Sequence, residues 1–133
     1  MLDVIKHDNE IIAIVLRGDY SREGVDFLTP NDLSLQLAYM NRPDRDVIPA
    51  HYHKENKRII MNTQEVLIIR KGKMKVDLYT PEQVHMKTIE LASGDLILLA
   101  SGGHRFEMLE KTEFVEVKQG PYVDKDKDKH IFE

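Results

Sequence analysis

Cysteine is absent from this chain of 133 residues, and its absence excludes two classes of site. No disulfide framework can form, and no thiolate can bind a metal. A metal could therefore be held only by histidine, carboxylate or neutral oxygen ligands. The absence is also consistent with the reducing cytoplasm, where disulfides are rare.

Long apolar runs are missing as well. The longest, Ile11–Leu16 and Leu96–Ala100, are far shorter than the roughly 20 residues with which a helix crosses a bilayer. The opening residues, MLDVIKHDNE, lack the basic start and apolar stretch of a secretory signal. We therefore expect a cytoplasmic protein without a membrane partner.

An excess of positive charge is the third absence. The 19 Lys and Arg residues are scattered among 23 Asp and Glu residues, and the net charge is −4. Because no basic patch is evident, we expect no nucleic-acid partner. The length, with 41% hydrophobic and 32% charged residues, is typical of one soluble globular domain.

A period-two hydrophobic pattern is what the sequence does contain, and it predicts β-strands. In KMKVDLY, residues 73–79, apolar residues alternate with charged ones, as in a strand with one buried face. In EVLIIR, residues 65–70, both faces are apolar, as in a strand covered on two sides. Lys71 and Gly72 predict a hairpin turn between them, since glycine adopts positive φ without steric cost.

Further strands are predicted along most of the chain, and turn residues separate them. They are Glu10–Arg17, Leu33–Met40, Val47–His53, Val84–Leu91, Asp95–Ala100, His104–Leu109 and Glu113–Lys118. Only the segment from Ser21 has room for a short helix. The chain is therefore predicted to be all-β, with roughly eight to ten short strands in a sandwich or barrel.

Two histidines lie two residues apart in the predicted strand Val47–His53. His51 and His53 would project to the same side, because residues two apart share a face of a strand. Same-side imidazoles can begin a metal site, each supplying one nitrogen. Taken alone, the pair is also compatible with two surface histidines near a strand end.

Two further residues favour the metal interpretation. Glu65 shares a face with Leu67 and Ile69, and a carboxylate on an apolar face requires a compensating charge or a metal. His104 begins another predicted strand, with Phe106 on its own face. The alternatives are a strand-end glutamate in water and a core histidine bonded to a backbone carbonyl. Glu65 and His104 are predicted at strand beginnings and the two histidines at the end of their strand, and all four candidate ligands could converge at the mouth of one barrel.

These residues resemble the two sequence motifs of the cupin superfamily. The first motif has H-x-H, then a glutamate, six residues and a glycine; this chain has HYH at 51–53, then Glu65, VLIIRK and Gly72. The second motif has a glycine, an apolar run, a tight turn and a histidine, matched by Gly94, DLILLA, SGG and His104. The resemblance covers about residues 33–118, the expected core of a single domain 1–133 with a charged C-terminal tail, 119–133.

The spacing inside the first motif leaves a choice of glutamate. In the family the glutamate usually follows the second histidine closely, whereas KENKRIIMNTQ intervenes before Glu65. Glu55 lies nearer to the usual spacing, but only Glu65 keeps its distance to Gly72. We therefore prefer Glu65.

The resemblance implies a cupin-like double-stranded β-helix, a jelly-roll barrel with at most a short helix near the N-terminus. It further implies one divalent transition metal in the barrel mouth, held by His51, His53, Glu65 and His104. Iron, manganese, nickel, cobalt and zinc all suit these ligands. The implied partner is a small polar ligand or substrate, and oxygenase, isomerase and lyase reactions all remain compatible with the family.

Two residues are candidates for the pocket wall, Tyr39 on the preceding strand and Phe106 beside His104. Core packing is the alternative for each.

Two other functions also fit the sequence. HYHK resembles the motif of metal-free dTDP-sugar ketoisomerases of cupin fold, in which His51 and His53 would act as acid and base. The chain could also be a non-catalytic module that binds a small ligand.

Two predictions concern surfaces. Val66 and Ile68 form the outward apolar face of EVLIIR and need a cover, so we expect a homodimer, as is common in the family. In the tail, His130–Phe132 follow the solvated run Asp124–Lys129, and we expect them to dock on the barrel or on the partner subunit.

Overall fold

A computed structural model describes all residues from Met1 to Glu133, and it divides into two compact units. The sandwich unit comprises Met1–Tyr20 and Asn62–Glu133, and the inserted unit comprises Ser21–Met61. The prediction of an all-β protein is confirmed, with 44% of the residues in strands and 3% in helix. The single domain with its core at about 33–118 stays a prediction.

Ten strands and one helix follow one another along the chain. They are β1 (Leu2–His7), β2 (Glu10–Leu16), β3 (Gly24–Phe27), β4 (Ala38–Asn41), β5 (Glu65–Lys71), β6 (Lys73–Tyr79), β7 (His85–Ala92), β8 (Leu96–Leu99), β9 (Gly103–Met108), β10 (Glu113–Lys118) and α1 (Lys125–Asp128). β3 and β4 form a two-stranded sheet in the inserted unit. The helix has four residues and is too short to cross a membrane.

The sandwich unit consists of two antiparallel sheets over a shared core. Five strands have the order β1-β2-β8-β5-β10, and three have the order β7-β6-β9. The sheets do not close into a barrel. Met74, Val76 and Leu78 of β6 are fully buried against Leu67 and Ile69 of β5, so the predicted inner faces of both strands are confirmed.

Strand positions are predicted accurately in the sandwich unit. The strands β2 and β5 to β10 begin and end within one residue of their predicted bounds. The hairpin predicted at Lys71 and Gly72 is wrong, because β5 pairs with β8 and β10 whereas β6 pairs with β7 and β9. Gly72, at φ 91°, is instead the corner where the chain passes from one sheet to the other. A side chain there would also collide with the backbone oxygen of Lys111.

Predictions for the inserted unit are less accurate. The strand expected at Val47–His53 is absent, and the one expected at Leu33–Met40 is reduced to β4. Pro49 has no N–H to donate to a strand ladder, which explains the first loss. The segment from Ser21 forms β3 rather than a helix, and Gly24 at its start has a φ of 88°, which is incompatible with a helix.

The one helix lies in the C-terminal tail instead of near the N-terminus. The side chain of Asp124 caps it by accepting a hydrogen bond of 3.0 Å from the backbone N–H of Lys127. The solvated charged run Asp124–Lys129 therefore contains one helical turn.

The end of the tail docks on β6 and β9. The ring of Phe132 lies edge to face against Tyr79, with centroids 5.1 Å apart. It also covers Gly103, where an added Cβ would come within 2.8 Å of the Phe132 ring. The expected docking is confirmed for Phe132, whereas Ile131 is 67% exposed.

Candidate functional site

A carboxylate and an imidazole meet on the inner faces of the two sheets of the sandwich unit. Glu65 opens β5 in the larger sheet, and His104 is the second residue of β9 in the smaller one. The Oε1 atom of Glu65 lies 3.0 Å from the Nε2 atom of His104. Glu65 is 6% exposed, whereas 34% of the His104 side chain is exposed, so the pair is open to solvent on the histidine side.

The side chains of Glu65 and His104 are held in place by strand pairing and by packing. Glu65 stands opposite Leu99 of β8 and Lys118 of β10, which places its carboxylate among the core-facing residues. The His104 ring stacks on Phe106, with centroids 4.9 Å apart and planes 14° apart. Because Phe106 packs against the core, it holds the imidazole in one orientation.

The electrostatics of Glu65 depend on two hydrogen bonds. Burial disfavours its charge, but hydrogen bonds with His104 and Glu116 outweigh burial and lower the pKa of Glu65 below its ordinary value. The same hydrogen bond with Glu65, together with burial and the neighbouring negative charge, raises the pKa of Glu116. Glu65 is therefore the more acidic carboxyl group of the pair, and Glu116 is the less acidic one. When the pKa values of two neighbouring carboxyl groups are moved apart in this way, one group is suited to donate a proton and the other to accept it.

Sequence reasoning missed Glu116 and Lys118. In β10 they alternate with Val115 and Val117, and the valines would ordinarily be assigned to the core. Pairing with β5 instead places Glu116 opposite Leu67 on the inner face. The ammonium of Lys118 lies 4.0 Å from the Glu116 carboxylate, at the edge of the site. Only the strand register could have revealed this arrangement, since the alternation alone favours the opposite face.

His51 and His53 lie together in the inserted unit, although their predicted strand is absent. Both are exposed, and their ring centroids are 5.4 Å apart. The Nδ1 atom of His51 is 2.7 Å from the carbonyl oxygen of Pro49. Because a carbonyl can only accept, Nδ1 carries the proton in this bond, and Nε2 keeps a lone pair when the ring is neutral.

The structure thus brings the four predicted ligands together as two pairs, Glu65 with His104 and His51 with His53. Within either unit, no group of three or more histidine or acidic side chains could hold a metal ion. Glu55 is exposed in the inserted unit.

The two candidates for the pocket wall lie in different units. Phe106 contacts His104 directly, as predicted, and is half-buried. Tyr39 is half-buried in β4 of the inserted unit.

Comparisons of the chain with protein-family models, with curated proteins and with solved structures gave no match. The chemistry of the site is therefore inferred from its own groups. Two carboxyl groups of different acidity, an imidazole and an ammonium group can bind a cation or a polar molecule, and they can move a proton.

Proposed function

We propose that the protein is a cupin that binds one divalent transition metal through His51, His53, Glu65 and His104 and acts on a small polar molecule. The observation that carries the proposal is the 3.0 Å contact between Glu65 and His104. These residues come from different sheets and match different sequence motifs, so their contact supports a common role as ligands. The two antiparallel sheets over one core support the jelly-roll part of the proposal.

The donor groups suit a divalent cation. Glu65 is an almost fully buried carboxylate, and it requires the compensating positive charge that a metal or a protonated His104 would supply. His51 donates its Nδ1 proton to a backbone carbonyl, which is the arrangement that prepares Nε2 of a histidine to bind a metal. When bound, a divalent metal supplies Lewis acidity toward a carbonyl or hydroxyl group of the ligand.

Other residues of the sandwich unit would act directly on the small molecule. Glu116, whose pKa is raised, takes up a proton more readily than Glu65, and Lys118 adds positive charge at the edge of the site. Phe106 supplies an apolar surface and orients His104. This combination favours a ligand that has a polar or anionic group next to a small apolar part.

The test is the metal content of the purified protein. Cells are grown in media supplemented with iron, manganese, nickel, cobalt or zinc, and the metal is counted by inductively coupled plasma mass spectrometry. We expect roughly one metal per chain. Glu65→Gln should lower that content strongly, whereas Glu55→Gln, which changes an exposed carboxylate, is the matched control.

A protein that remains metal-free after reconstitution would overturn the proposal. The remaining interpretation would then be a metal-free sugar-nucleotide ketoisomerase, in which His51 and His53 act as acid and base. Equal losses for Glu65→Gln and Glu55→Gln would instead show that the carboxylate ligand is wrongly assigned.

A further inference from the structure

The C-terminal tail, residues 119–133, connects two strands that each lie at the edge of a sheet. β10 is the last strand of the larger sheet, and β9 is the last strand of the smaller one. The tail begins where β10 ends, and Phe132 lies over the first residue of β9. Glu65 and His104 meet beside these two strands.

The first anchor of the tail is on β10. The Oδ2 atom of Asp128 lies 3.6 Å from the Nζ atom of Lys118, and its Oδ1 atom lies 3.4 Å from the hydroxyl of Thr63. The side chains of Asp128 and Lys118 are 13% and 24% exposed, so this contact is more protected than a typical surface ion pair. Lys118 stands opposite Glu65 in the strand register, which places the anchor next to the site.

The second anchor is on β9. Phe132 fills the space above Gly103, and the Glu133 carboxylate lies 2.9 Å from the Nε atom of Arg105. Gly103 and Arg105 immediately flank His104. Because alternate residues of a strand face opposite sides, this anchor holds the outer face of β9 while His104 faces the interior.

Between the anchors the chain has only three residues, 129–131, and Ile131 is largely exposed. We propose that this tail is a strap that narrows the approach to Glu65 and His104 between β9 and β10, leaving His104 about one-third exposed, and that it undocks to admit a small ligand. The strap is held by few contacts, and those on β9 are partly exposed, as expected of a segment that opens locally without unfolding the core. The inference rests on the proposed function only in taking Glu65 and His104 as the site.

The test measures chemical access to His104 in the full-length protein after chelator treatment, so that no metal masks the imidazole. The probe is diethyl pyrocarbonate, and peptide mass spectrometry follows the modification rate at each histidine. Phe132→Ala removes the aromatic anchor, and Gly103→Ala displaces Phe132 by occupying its space. Ile131→Ala changes the exposed neighbour and is the matched control.

We expect Phe132→Ala and Gly103→Ala to raise the modification rate at His104 roughly three- to tenfold. In these variants the reagent would reach His104 without waiting for the tail to undock. Ile131→Ala should leave the rate unchanged. His7 on β1, whose side chain is 37% exposed, serves as the internal reference.

Unchanged rates at His104 in both anchor variants would overturn the inference. A parallel increase at His7 would also overturn it, because it would indicate loosening of the whole unit. Failure of the metal proposal would appear in the metal content alone, so the two outcomes are distinguishable.

Discussion

Replacing Glu65 with glutamine keeps the shape of a buried side chain and removes its charge. The carboxylate is 6% exposed, and it lies 3.0 Å from the Nε2 atom of His104, from which it accepts a hydrogen bond. Hydrogen bonds to charged groups contribute about 1.5–3 kcal/mol, compared with about 0.5–1.5 kcal/mol for neutral ones. Because His104 remains one-third exposed and solvent screens the pair, we expect Glu65→Gln to destabilise the metal-free protein by about 1 kcal/mol.

The pH dependence of this loss follows from the lowered pKa of Glu65. A carboxyl group whose pKa is lower in the folded state stabilises the fold above its unfolded pKa, and the contribution disappears as the pH falls through the folded pKa. The ordinary value for Glu65 is 4.5, and its folded pKa lies below that value. The difference in unfolding free energy between the natural protein and Glu65→Gln should therefore be complete at pH 7 and should shrink below about pH 4.5.

Urea unfolding, followed by far-ultraviolet circular dichroism, measures both quantities in a chain that has no tryptophan. Glu55→Gln is the control, and an exposed substitution of this kind should change stability by less than about 0.5 kcal/mol. A stability loss for Glu65→Gln no larger than that of Glu55→Gln would refute the reasoning. So would a loss that grows as the pH falls.

Three other predictions concern different parts of the chain. Glu116→Gln should stabilise the protein by about 0.5 kcal/mol at pH 8, as measured by urea unfolding. The raised pKa means that the ionised Glu116 carboxylate is unfavourable in the fold, and its 42% exposure keeps the effect small. Destabilisation would contradict this prediction. Light scattering at micromolar concentration should show a homodimer. Ile68 lies on an outer apolar face with Val117, which is 49% exposed, so Ile68→Lys should produce monomers. A monomeric natural protein would refute the dimer. Phe132→Ala should cost about 1 kcal/mol in thermal unfolding, whereas equal effects of Phe132→Ala and Ile131→Ala would argue against a docked tail.

Much of the sandwich unit was predictable because its strands carry a strong two-residue periodicity. The alternation in β6 assigns Met74, Val76 and Leu78 to the core, and the same rule places Glu65 on an inward face. The contact of Glu65 with His104 follows the same logic, since both were expected to face inward at the start of their strands.

Other features depend on long-range register, which local pattern cannot specify. Gly72 indicates a turn of positive φ, but the same turn can join paired strands or transfer the chain between sheets. Glu116 faces inward only because β10 pairs with β5 in one particular register. The strand predicted up to His53 fails for a local reason instead. The apolar residues before Pro49 suggest a strand, but proline has no N–H to donate to a strand ladder.

X-ray absorption spectroscopy of the cobalt-reconstituted protein tests most directly whether the two residue pairs bind one metal together. The proposal predicts a cobalt spectrum with imidazole scattering from His51, His53 and His104 and an oxygen ligand from Glu65. His104→Ala should remove one imidazole from that count. A spectrum without histidine scattering, or one that His104→Ala leaves unchanged, would contradict the assignment of these four residues as a single metal site.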